Sequence, residues 1–154
     1  MSFQRRFAMV IATWFGIGLV RFAPGSFGSL LALPFAWVIF EIGQLLALTV
    51  ATLFAFVVGV WAANTYAQEI TDDDPPEIVI DEVAGQWLPL LVVPSDILYY
   101  TLGFIFFRIA DILKPWPVSL VDQRIKGGLG IMLDDMFAGI YAALALLAVQ
   151  LWLH

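Results

Sequence analysis

Charge in this chain is confined to a few short segments, and the stretches between them are almost wholly apolar. That partition constrains the fold more than any other feature. Of the thirteen acids, seven lie in 68–82 (QEITDDDPPEIVIDE) and four in 107–135 (FRIADILKPWPVSLVDQRIKGGLGIMLDD). The second stretch also holds four of the seven Lys and Arg residues: Arg108, Lys114, Arg124 and Lys126. Runs such as 42–67 and 136–153 carry no charge at all. The chain is 62% hydrophobic and 13% charged, with a mean hydropathy of +0.92. Soluble domains carry about 25% charged residues. Too little polar surface exists to cover a water-soluble globule of 154 residues. The expectation is a single membrane-embedded domain, 1–154.

Absences narrow the chemistry. Without cysteine there are no disulfides, thiolate zinc sites or cysteine nucleophiles. The one histidine is His154, so Ser-His-Asp triads and histidine phosphoryl transfer have no support. A net charge of −6 with no basic stripe speaks against a nucleic-acid partner. The apolar segment after Arg5 and Arg6 runs into Arg21 and Pro24-Gly25 without an A-x-A-like cleavage site. Any acid–base or metal chemistry must fall to carboxylates.

Taken in order, 7–20 is too short to span a bilayer, which needs about 20 residues, and reads as an interfacial or re-entrant helix. Residues 21–29 (RFAPGSFGS) read as a breaker-rich loop. An apolar hairpin follows: a short helix at 30–40, a turn near Glu41–Gln44, and a span over 45–66 that reaches roughly 33 Å. The acidic loop ends at Pro75-Pro76 and leads to Asp81-Glu82. Residues 83–93 and 97–113 form a further pair, and 136–153 a last helix. The fold expected is all-α: a polytopic helical bundle of about five spans plus the N-terminal helix. Arg5, Arg6 and Arg21, and then Lys114, Arg124 and Lys126, place both basic regions on the cytoplasmic side by the positive-inside rule.

Several residues have both a plain reading and a chemical one. Asp81 and Glu82 at a helix start complement the dipole or bind a metal. Arg108 and Asp111, spaced i,i+3, share a face as an ion pair, or divide between a phosphate oxygen and a metal. Lys114 in the stiff KPWP segment anchors at the headgroup region or binds phosphate. Arg124, Lys126, Gly127 and Gly128 form a turn or an anion site before a helix start. Asp134 and Asp135 cap a helix or join other acids around Mg²⁺, which takes oxygen ligands and shares them with phosphate. Asp122, alone in its loop, has the weakest physical case. The coincidence of these groups at one membrane face fits metal-assisted phosphoryl chemistry on a lipid.

The long stretch from Phe107 to Asp135 followed by MFAGIYA resembles the signature of the phosphatidylglycerophosphatase A family. So do DDPPEIVIDEVAGQW, with Asp81, Glu82 and Gly85, and the glycine-rich PGSFGSL from Pro24 to Leu30. The resemblance implies a Mg²⁺-dependent phosphatase of the bacterial inner membrane, multi-pass and cytoplasm-facing. It would convert phosphatidylglycerophosphate to phosphatidylglycerol. It carries over the family's acids as Asp81, Glu82, Asp111, Asp122, Asp134 and Asp135 and its bases as Arg108, Lys114 and Arg124; on that footing Asp81, Glu82, Asp111, Asp134 and Asp135 would hold metal. Arg108, Asp122 and Asp135 would serve catalysis, with Asp122 as acid or base. Ser26, Ser29, Lys114, Arg124, Lys126, Gly127 and Gly128 would bind the phospholipid substrate. One rival is a headgroup transferase using a CDP-linked donor, but its Asp-Gly-x-x-Ala-Arg start and last Asp fail here, where Asp111 precedes Ile112 and position 138 is Ala. A second rival is an ion-conducting membrane subunit, against which the acids gather at one face.

Overall fold

The computed structural model describes residues 1–154, and every regular element is helical. Helix α1 spans Phe3–Ala12 and is capped by Ser2, whose hydroxyl accepts from the Arg5 amide at 3.4 Å. A short 3₁₀ turn, Ile17–Leu19, leads to α2, Pro24–Ile70. Then come α3 (Ile80–Leu90), α4 (Ile97–Leu113), α5 (Val118–Arg124) and α6 (Gly127–Leu153).

The all-α class holds, but the count of about five spans plus an N-terminal helix does not. Six helices form, and only two, α2 and α6, are long and apolar enough to be candidate membrane spans. Helix α3 has eleven residues and α4 seventeen. Their lengths of roughly 17 Å and 26 Å fall short of a hydrocarbon core of about 30 Å. Nine of the eleven α3 residues are buried among other helices. Its hydropathy therefore reflects a protein core rather than lipid contact, a distinction that composition cannot make. The N-terminal helix also sits earlier than 7–20. It packs along the end of α2, with Arg5 pairing with Glu69 at 3.1 Å and the Phe7 ring tilted against Trp61, 6.3 Å between ring centroids.

Two expected loops are helical instead. Pro24 opens α2, because proline at the first helical position has its φ preset and lacks only an N–H that would be unpaired there. Residues 127–135 belong to α6, so the final helix starts well before 136. The turn expected near Glu41–Gln44 is present as a break within α2: Gly43 and Gln44 leave helical geometry, with Gln44 at φ 56°. Trp87 touches both sides of that break. Its indole N–H donates to the Ala32 carbonyl at 2.8 Å, and the same ring lines an apolar cavity with Ala51 and Ala55. The two halves of α2 thus fold back beside one another.

Helices α3 and α6 run parallel and meet backbone to backbone. A Cβ on Gly85 would lie 2.7 Å from the Asp135 carbonyl oxygen, and one on Gly139 would lie 2.6 Å from the Gly85 carbonyl oxygen. Further along, Leu90 and Leu146 both flank Gly103 of α4. Gly128 allows the start of α6 a similar approach to α2, where a Cβ would lie 2.7 Å from the Asn64 amide nitrogen. Gly85→Val should force α3 and α6 apart. The expected cost is about 1–3 kcal/mol, read as a lower midpoint of thermal unfolding in detergent. An unchanged midpoint would mean that the two backbones are not in contact.

Candidate active site

At one end of the bundle, the starts of α2, α3 and α6 meet the end of α4. They enclose a cavity of about 400 Å³ with the 74–76 segment of the acidic loop. Its polar wall includes Ser26, Asp74, Asp81, Glu82, Arg108, Asp111, Lys114, Asp134 and Asp135. Asp81 and Glu82 occupy the first turn of α3, where the helix dipole favours acids. Asp135 arrives from α6. One oxygen from each of these three carboxylates lies within 4.8 Å of the others. Asp81 is 7% exposed and Asp135 2%.

Asp81 Oδ1, Glu82 Oε2 and Asp135 Oδ2 are buried and accept no hydrogen bond. Buried carboxylate oxygens without donors are strongly unfavourable, and three together repel one another. A hard divalent cation with oxygen ligands satisfies such a set. The residues present therefore fit Mg²⁺.

Two other carboxylates at the cavity are already paired. Arg108 Nη1 lies 2.5 Å from Asp111 Oδ2 and 3.9 Å from Glu82 Oε1, while its Nε is buried without a partner. Lys114 follows α4 in left-handed geometry (φ 46°). Its Nζ donates to Asp122 Oδ1 at 2.8 Å and to Asp134 Oδ2 at 3.2 Å. Burial works against the Lys114 charge. The bonds to Asp122 and Asp134 outweigh it and hold the ammonium above the usual lysine range. Burial likewise pushes Asp122 up, but the hydrogen bond and charge of Lys114 bring it below the ordinary carboxylate range. Asp122 thus stays ionised at neutral pH.

The start of α2 closes the cavity on a third side. Ala23 offers no side-chain cap, and the Phe27 amide already bonds the Ala23 carbonyl at 3.2 Å. Pro24 has no N–H, which leaves the Gly25 and Ser26 amides as the free donors of this helix start. Glycine is required at 25: a Cβ there would collide with Glu82 Oε1 and lie 3.4 Å from Arg108 Nη1.

The sequence-derived candidates divide accordingly. Asp81, Glu82 and Asp135 come together. Asp111, Asp134, Arg108, Lys114 and Ser26 share their cavity. Asp122, Lys126 and Gly127 line a smaller adjoining cavity of about 150 Å³, whose wall also includes Asp134 and Asp74. Ser29 is fully buried one turn further along α2, its hydroxyl unpaired. Arg124 is exposed and lines neither cavity. The Gly128 amide is engaged by Asn64 Oδ1 at 3.4 Å, so this glycine serves the approach to α2. Two participants were not singled out by sequence: Gly25 and Asp74. Asp74 sits in a run of acids that looks like a solvated loop, and only its position after the fold marks it out. Gly25 carried a signal in the Pro-Gly-Ser stretch.

A family model described as phosphatidylglycerophosphatase A matches residues 10–150. The chain belongs to the phosphatidylglycerophosphatase A family. It is 38% identical over 136 residues to phosphatidylglycerophosphatase A of Escherichia coli, covering 87% of this chain and 78% of that relative. It is 32% identical over 145 residues to the Haemophilus influenzae protein of the same name, covering 94% and 89%. A Bacteroides thetaiotaomicron relative named as a putative phosphatidylinositol-3-phosphatase is 39% identical over 157 residues, covering 94% and 93%. No solved structure matches significantly. The resemblance carried by the long charged motif is thereby sustained: this is a phosphatase of that family, and the matched region contains every residue of the cavity wall.

The Lys114–Asp122 contact makes a pH-dependent contribution to stability. Asp122 has a lowered pKa in the folded state, so its contribution is present above its unfolded pKa, about 3.9, and is lost as pH falls through the folded value. Asp122→Asn should therefore unfold at lower temperature than the parent at pH 7, and the gap should close below about pH 4. A gap that stays constant down to pH 3 would show that the ionised carboxylate is not what matters.

Proposed function

We propose that this protein hydrolyses the terminal phosphomonoester of phosphatidylglycerophosphate, giving phosphatidylglycerol and phosphate, with Mg²⁺ as cofactor. The observation that carries this reading is the set of three unpaired, buried carboxylate oxygens facing Arg108 across one cavity. The E. coli and H. influenzae relatives bear the name of this activity. The Lys and Arg residues cluster before α2 and between the end of α4 and the start of α6, at the cavity end of the bundle. With α2 and α6 as candidate spans, the positive-inside rule supports a bacterial inner-membrane protein whose site faces the cytoplasm.

Asp81, Glu82 and Asp135 would hold the cation. When bound, Mg²⁺ offsets phosphate charge and makes phosphorus more open to attack. The chain supplies the rest. Arg108 is aimed by Asp111 and presents its guanidinium to phosphoryl oxygens, where charge grows in the transition state. Gly25 and Ser26 line the same cavity at the start of α2, where free amides would add neutral donors aligned with the helix dipole. Lys114, held between Asp122 and Asp134, forms the second cationic wall. Asp122 serves there as an ionised acceptor that fixes Lys114, rather than as a proton donor. Asp134 shares that duty, which leaves Asp81, Glu82 and Asp135 as the ligand set.

The Bacteroides relative points to a second substrate, a phosphoinositide, and the same site would accept its phosphomonoester. One experiment decides between them: phosphate release by purified protein in detergent from phosphatidylglycerophosphate, phosphatidylinositol 3-phosphate and phosphatidic acid, each with Mg²⁺ or EDTA. Fastest release from phosphatidylglycerophosphate, abolished by EDTA, is expected. Asp81→Asn and Asp135→Asn should each lower that rate at least about 100-fold without loss of the folded state. Full activity in EDTA would remove the metal from the mechanism, and preference for the phosphoinositide would reassign the substrate.

A further inference from the structure

An apolar cavity lies along the same pair of helices as the charged one. Helix α4 runs alongside the first half of α2 in the opposite direction. At the charged end, Ser26 of α2 and Arg108 of α4 line the same cavity. At the far end, Leu33, Trp37 and Val38 of α2 and Ile97 and Thr101 of α4 line a second cavity of about 390 Å³ with almost no polar wall. Ser26, Leu30, Leu33 and Trp37 follow one another at four, three and four residues, so they form one stripe along α2. Thr101, Ile105 and Arg108 do the same on α4. Leu30 is 48% exposed and Ile105 42%, so the seam between the two cavities is open and apolar.

We propose that this seam between α2 and α4 is the acyl-chain groove, which receives one fatty chain of the lipid whose phosphate sits at Arg108. The assignment rests on the lipid-phosphatase reading of the site and extends it to the tail. The seam matches an amphiphile in its order of chemistry: charge at one end, then only hydrocarbon. The distance from Arg108 to Thr101 along α4 is roughly 10 Å. The glycerol, phosphodiester and second glycerol between the terminal phosphate and the acyl esters span a similar distance, so the fatty chain itself begins close to the far cavity. A second apolar cavity, between α1, the second half of α2 and Trp87, is likewise separate from the charged one; its wall residue next to Asp81, Ile80, is buried, whereas exposed Leu30 and Ile105 line the α2–α4 seam, so it is the poorer candidate.

The presence of the chain is the readout that separates this groove from a merely greasy surface. The deacylated headgroup, glycerophosphoglycerophosphate, carries the same phosphomonoester and has no hydrocarbon to place in the far cavity. A sixteen-carbon chain, roughly 19 Å long at C–C bonds of about 1.5 Å, runs through it. Val38 and Thr101 are both exposed, so a large side chain at either position fills the far cavity from the surface. The test compares kcat/KM on dipalmitoyl phosphatidylglycerophosphate and on its deacylated headgroup for wild type, Val38→Trp, Thr101→Trp and Ala51→Trp. The last variant fills the other apolar cavity. The lipid-to-headgroup ratio should fall at least fivefold in Val38→Trp and Thr101→Trp and stay within twofold in Ala51→Trp. An unchanged ratio in both groove variants, equal losses on both substrates (as when a second copy of the chain covers the seam), or a change only in Ala51→Trp would overturn the groove. A wild-type protein that releases phosphate from neither substrate would overturn the reading of the site itself, and the groove with it.

Discussion

The contact of Gly85 with Gly139 is what the rest of the site depends on. Asp81 stands four residues before Gly85, and Asp135 four before Gly139. In two parallel helices that touch at those glycines, both acids are carried one turn nearer the same end of the bundle, on the same face as the contact. The carboxylates are thus forced together by the packing of two backbones, with Glu82 beside them. Any side chain at either glycine would separate the helices, because each Cβ would meet a carbonyl oxygen of the partner helix. The energy of apolar burial behind this contact, through residues such as Leu90, Met132 and Leu146, is what holds three like charges in place.

Charge around the cavity is then sorted by geometry. Asp111 and Asp134 each have a cation within hydrogen-bonding distance, whereas Asp81, Glu82 and Asp135 each keep a buried oxygen without a donor. Paired acids fix the orientation of Arg108 and Lys114. Unpaired acids leave a deficit of positive charge that a bound cation would fill, and such a cation would in turn favour an anion beside Arg108. The same sorting explains why Asp122, the weakest carboxylate on sequence grounds, matters to the structure: it shares the Lys114 ammonium with Asp134.

The candidate site was more legible than the fold around it. Acids and bases in an apolar chain have few plain explanations, so Asp81, Glu82, Arg108, Asp111, Lys114, Asp134 and Asp135 stood out by type alone, and all line one cavity. The number of spans was not legible. Hydropathy treats lipid and protein interior as one solvent, and α3 is apolar because its neighbours bury it. Helix starts were misjudged for a related reason. Pro24-Gly25 and Gly127-Gly128 are breakers by propensity. Here proline sits where its missing N–H costs little, and Gly25 and Gly128 lie where the chain must approach Glu82 or the backbone of α2. Asp74 was hidden among identical neighbours.

The sequence by itself determined the class of fold and the chemistry. Its apolar runs make helices, its missing cysteine and lone terminal histidine leave carboxylates to do the work, and its charged motifs mark the family. Only the tertiary structure decided which carboxylates act as a group. Spacing along the chain places Asp134 and Asp135 equally close to everything else. A helix turns about 100° per residue, however, so the two point different ways: Asp135 joins Asp81 and Glu82, and Asp134 turns to Lys114. That choice is set by the rotation of α6 against α3, which the glycine contact fixes and no local pattern of residues records.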